Sequence, residues 1–175
     1  MNARAAHSPY SRIDARVSGF WRPHYDLTLD GAPLTRLTEL HAPLSTSFAL
    51  DGATWSIGGH FGRTGLDAVF SIVRGGLLAR GRFELRDPTG QAVALAAQRG
   101  FFDAGYDVDL AGTAGRLDSD KKVSHFLWQG AGGAGRIDRQ PGGLIAQLPA
   151  TLEMPLQVFL VVLALGRWAR LASNG

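Results

Sequence analysis

The chain has 175 residues, the length of one ordinary domain with room for a real core. Its 45% apolar and 19% charged residues give a globular rather than a disordered composition, and the lack of cysteine excludes disulfides, thiolate metal sites and cysteine nucleophiles. The net charge of +3 is modest, rests almost wholly on arginines spread along the chain, and speaks against a nucleic-acid partner.

Residues 1–22 mix Arg, His, Ser and Pro without a continuous apolar run. They read as a loose arm without a secretory signal, so the expected location is cytoplasmic, at the periphery of a membrane. Residues 23–175 read as a single domain. There a period-2 rhythm begins: Tyr25, Leu27 and Leu29 alternate with Asp26, Thr28 and Asp30, as a half-buried strand requires. A weaker candidate follows at Leu34–Leu40. Ser47–Leu50 and Thr54–Ile57 flank Asp51-Gly52, a strong hairpin signal.

Leu66–Val73 is a further alternating run. The clearest hairpin flanks Asp87-Pro88-Thr89-Gly90, where Pro fixes φ at the second turn position and Gly closes the turn. Its first arm sets Leu77, Ala79, Phe83 and Leu85 against Arg80, Arg82, Glu84 and Arg86, and its second runs over Gln91–Arg99. Gly105–Leu110, Thr113–Leu117, Lys122–Trp128, Ala134–Arg139 and Gly143–Leu148 complete about twelve short strands. The 23 glycines and the absence of a βαβ rhythm point to a barrel or sandwich.

The end of the chain differs. From Pro155 to about Ala172 no turn signal interrupts, Pro155 suits a first helical turn, and Arg167 and Arg170 suit the last. Between Leu156 and Leu165 only Gln157 is polar. A surface helix would show a polar stripe there, and a membrane span needs roughly twenty apolar residues. A helix apolar on every side yet too short to span should be enclosed by protein. The expected fold is therefore a mainly β, closed or nearly closed barrel of about twelve strands around a buried C-terminal helix over 155–172, with no transmembrane span.

These features resemble the tubby C-terminal-like superfamily, which includes tubby proteins, phospholipid scramblases and LURP-one-related proteins. The resemblance covers roughly His24 to Leu171 and rests on strand number, the Arg86-Asp87-Pro88-Thr89-Gly90-Gln91 hairpin and the terminal helix. It implies the helix-filled barrel and a lipid-surface role. The cysteine-rich segment of scramblases has no counterpart here, and no basic cluster aligns with that of tubby proteins.

No catalytic site emerges. Gly130-Ala-Gly132-Gly133-Ala-Gly135 matches GxGxxG, but the following residues alternate and then break at Pro141, so a hairpin loop is the better reading. Asp118-Ser119-Asp120 lacks the later residues of a calcium loop and reads as a solvated turn. Asp107 and Asp109 share a strand face, where exposed charge also belongs. The histidines lack metal-ligand spacing, and there is no GxSxG elbow. No metal or other cofactor is expected.

The remaining candidates for binding are Arg74, Arg80, Arg82 and Arg86, whose guanidinium forks suit phosphates or anionic lipid. The expected function is thus a non-catalytic binding or scaffold domain, at an anionic membrane surface or with a protein partner. The alternative is a hollow, lipocalin-like carrier of small hydrophobic ligands, suggested by Gly19-Phe20-Trp21. A third reading, an enzyme of unrecognised type, has no residue set behind it.

Overall fold

The computed structural model describes residues 8–19, 24–37, 44–61, 81–100 and 104–173. Twelve strands form one antiparallel sheet: β1 (Tyr10–Ser18), β2 (His24–Leu29), β3 (Ala32–Leu37), β4 (Leu44–Leu50), β5 (Ala53–His60), β6 (Arg82–Arg86), β7 (Ala92–Gln98), β8 (Tyr106–Leu110), β9 (Thr113–Ser119), β10 (His125–Gly130), β11 (Gly133–Gln140) and β12 (Gly143–Pro149). One helix follows, α1 (Met154–Ser173). The strand order is β3-β2-β1-β12-β11-β10-β9-β8-β7-β6-β5-β4. The two outermost strands, β3 and β4, lie beside each other, so the sheet curls into a nearly closed barrel.

The expected fold is the observed one, with two corrections. Tyr10–Ser18 does not belong to a loose arm. It is β1, paired along its length with β12 and β2. Its core-facing positions Ser11, Ile13 and Ala15 are buried while Arg12 and Arg16 are exposed, an alternation masked by the polar Ser11 and small Ala15. The second correction concerns the hollow carrier. Val158 to Leu165 are each no more than 2% exposed, so the helix fills the interior that such a carrier would leave open. Phe20, Trp21 and the run Leu66–Val73 lie outside the described residues.

Three hairpins close through two-residue turns, Asp30-Gly31, Asp51-Gly52 and Ala111-Gly112, with φ positive at both positions. Such turns match the right-handed strand twist, and the glycine supplies the second positive φ at no steric cost. The GxGxxG run is likewise a hairpin: Gly130 pairs with Gly133 across Ala131-Gly132. Of its glycines, Gly130 makes room for Trp128, a fully buried side chain on the inner face. A Cβ at Gly130 would lie 2.5 Å from the indole, and one at Gly115 would also collide with it.

The inner faces of the strands meet the helix through Ile13, Leu27, Phe48, Ile57, Leu85, Val108, Leu117, Phe126 and Ile137, all buried in one core. α1 has the length and hydropathy for crossing a membrane, but 72% of that window is buried inside the barrel. The lone polar residue of its apolar stretch is used locally: Gln157 Nε2 donates to the Leu152 carbonyl at 2.8 Å.

Two substitutions test this packing. Leu163→Asp places a carboxylate in an apolar site with no partner. The penalty is comparable to a domain's whole stability of about 5–15 kcal/mol, so folded protein should be lost, as read by circular dichroism. Gly115→Ala should instead lower stability by about 1–3 kcal/mol in chemical denaturation, the cost of overfilling a packed site.

Candidate functional site

Strand direction sorts the connections into two ends. At the end where α1 begins, the hairpin turns are short and carry Asp30, Asp51 and Asp87, with Glu153 leading into the helix, and they contain no lysine or arginine. At the opposite end, where α1 finishes, β1, β3, β5, β7, β9 and β11 end and the strands that follow them begin, with the connection 120–124 and the turn Pro141-Gly142 among the described residues there. Lys121, Lys122, Arg139, Arg167 and Arg170 are gathered there, around the C-terminal turns of the helix. The charges of the described residues are thus polarised along the barrel axis.

The wall between the ends is close to neutral. Arg12 pairs with Asp14 at 3.0 Å, Arg36 with Asp26 at 2.6 Å and Arg136 with Asp138 at 2.8 Å. Such exposed pairs are screened by solvent and add little to stability. Their consequence here is that little uncompensated positive charge is left on the wall.

The arginine row divides on this geometry. Arg82 and Arg86 point outward from the same face of β6, at opposite ends of the strand and roughly 13 Å apart. Arg86 is tied to Glu84 at 2.5 Å and donates to the Gly90 carbonyl at 2.7 Å. Arg82 makes no ion pair among the described residues and belongs to the basic end. It borders a groove of about 730 Å³ on the outer wall, with exposed Leu95 and small Ala97 and Ala114 as its floor, and Asp107 and Arg116 at its rim. Arg74 and Arg80 fall in the connection 61–81, outside the described residues.

Two features of the basic end were not read from the sequence. A cleft of about 500 Å³ opens beside α1, with Leu165, Trp168 and Ala169 as an apolar floor and Tyr25, Ser124 and Arg139 around it. Burial pushes the Tyr25 phenol above its ordinary pKa, and the charge of Arg139 pulls partly against that. Arg167, the other feature, is only 7% exposed, with Nε enclosed and without a hydrogen-bond partner. The sequence places it with Arg170 near the helix end, which says nothing of its burial.

The turn 120–124 is held in place by its own residues. Val123 adopts φ 51, an uncommon value for a β-branched residue, and its carbonyl accepts the Trp168 indole N–H at 2.5 Å. The Asp120 carboxylate accepts the Ser124 amide at 2.6 Å and the Ser124 hydroxyl at 2.8 Å. Desolvation alone would raise the Asp120 pKa, but these hydrogen bonds outweigh it and hold it at about 2. The turn that displays Lys121 and Lys122 is therefore fixed to the end of the helix.

Among the described residues there is no group of three or more histidines and carboxylates placed to hold a metal ion. His125 stands by Asp120, and His24 by Ser18 and Asp26. Asp107 and Asp109 both face solvent, and Asp109 accepts the Gly112 amide of the adjoining turn at 2.7 Å. Comparison with family models, with curated proteins and with solved structures yields no match.

Since the Asp120 pKa is depressed below its ordinary 3.8, the support it gives the turn is fully present above that pH. It is lost as pH falls through about 2. In an NMR titration the Ser124 amide should shift with a midpoint near 2, whereas a midpoint at 3.8 would mean that the carboxylate does not hold the turn.

Proposed function

We propose that the protein is a non-catalytic binding domain that sets its basic end against an anionic lipid surface. The observation that carries this reading is the separation of charge between the ends: Lys121, Lys122, Arg139 and Arg82 at one, Asp30, Asp51, Asp87 and Glu153 at the other. An anionic surface attracts the first end and repels the second, so one field both binds and orients the barrel. The apolar-floored cleft beside α1 offers room at that end for part of a lipid. Arg74 and Arg80 belong by sequence to a connection that leaves and rejoins the barrel there, which adds them to the proposed contacts. The helix-filled barrel is also the architecture of the tubby-like class, and the kinship suggested by sequence is proposed on that ground.

Co-sedimentation with anionic and neutral vesicles at low and raised salt tests this reading. Each basic residue near such a surface contributes about 1 kcal/mol, so Lys121→Ala/Lys122→Ala/Arg139→Ala should weaken anionic-vesicle binding on the order of 100-fold at low salt. Arg86→Ala, on a residue engaged with Glu84, should leave it within about twofold. Equal binding to neutral vesicles, or equal effects of the two variants, would sink the orientation.

A further inference from the structure

Five aromatic rings form an arc around the last turns of α1. Phe61 meets Phe83 at 4.9 Å between centroids, Phe83 meets Tyr106 at 5.8 Å, Tyr106 meets Phe126 at 6.4 Å, and Phe126 meets Trp168 at 5.5 Å. The helix touches the arc at both ends. Gly166 lies against Phe61, the Arg170 guanidinium stands 5.1 Å from the Phe61 centroid, and Trp168 is the arc's last member. Arg167, between these anchors, is thereby directed toward the middle of the arc, where Tyr106 stands.

At that point polar groups are enclosed without partners. The Tyr106 hydroxyl is fully buried and makes no hydrogen bond, and neither does Arg167 Nε. No carboxylate pairs with Arg167 among the described residues. Both Arg167 and Arg170 are near enough to pull against the burial that raises the Tyr106 pKa. An enclosed guanidinium without an anion is costly, because desolvation of the charge goes uncompensated. The helix C-terminus offers only about half a negative charge, confined to its last turn, and Arg167 lies before that turn. Among the described residues the site is therefore short of one anion.

We propose that Arg167 and Tyr106 form an oxyanion site inside the basic end of the barrel, and that its ligand is a phosphate group. A planar fork and a hydroxyl donate to oxygens on different sides of one centre, which suits a tetrahedral phosphate. The phosphate is either free in solution or the headgroup of a phospholipid. Only the second source rests on the membrane-surface reading.

The test is thermal unfolding of the full chain in phosphate-free buffer, then with increasing orthophosphate or monomeric dihexanoyl phosphatidic acid. The wild type should show a saturable rise in Tm with at least one probe. A response to orthophosphate assigns a soluble ligand, and a response to the lipid alone assigns a headgroup. Arg167→Met should weaken that response roughly ten- to hundred-fold, as expected for losing a charged donor. Its Tm in phosphate-free buffer should be unchanged or higher, because an unpaired buried charge has gone. Tyr106→Phe, which keeps the ring and its packing, should weaken the response less and keeps the test informative if Arg167→Met does not fold.

A wild type indifferent to both probes overturns the site, as do variants that respond as the wild type does. Failure of vesicle binding with an intact orthophosphate response removes the membrane reading and leaves this site. Vesicle binding without any effect of Arg167→Met or Tyr106→Phe removes this site alone.

Discussion

The burial of α1 inside the barrel is the constraint on which the rest depends. Eight consecutive residues, Val158 to Leu165, lose essentially all contact with water. At about 1.5–3 kcal/mol for each large aliphatic or aromatic side chain, their burial is among the largest stabilising contributions in the molecule. A helix that is apolar all round cannot lie on a surface, so the sheet must surround it. The residues between strands then have only two places to go, the two ends of the cylinder. Every functional group discussed above is located by that division.

The ends differ because the helix enters at one and leaves at the other. At the entry the hairpins are tight and Gln157 is buried. At the exit, the last turns of α1 bring up Arg167 and Arg170, and Trp168 fastens the turn carrying Lys121 and Lys122. The wall contributes little to this field because its arginines are matched by acids, often two residues along the same strand, as in Arg12–Asp14 and Arg136–Asp138. A modest net charge is in this way concentrated at one pole without any segment of the chain being strongly basic.

Much of the architecture was legible in local pattern. The hairpins at Asp51-Gly52 and Asp87–Gly90 follow from turn chemistry, and the helix from its uninterrupted apolar run. β1 was not legible, since Ser11 and Ala15 are buried without looking hydrophobic and its strong partner is β12, far away in sequence. The GxGxxG run was rightly taken as a hairpin, but the reason for Gly130 is Trp128, and Gly135 lies against the backbone of Gln147, neither of which a local reading supplies. The arginine row was visible as a row. That Arg86 is engaged by Glu84 while Arg82 stands at the other end of the strand required coordinates.

The sequence by itself determined the class of fold, because strand alternation, turn residues and the apolar helix are short-range signals that physical chemistry reads one segment at a time. It also determined which chemistries are excluded by composition, above all those of cysteine. Only the tertiary structure decided which charges are neutralised and which are gathered at one end, and that Arg167 Nε and the Tyr106 hydroxyl are buried without hydrogen-bond partners. Charge pairing and burial depend on distances between residues remote in sequence, and those distances are set only when the sheet closes around the helix.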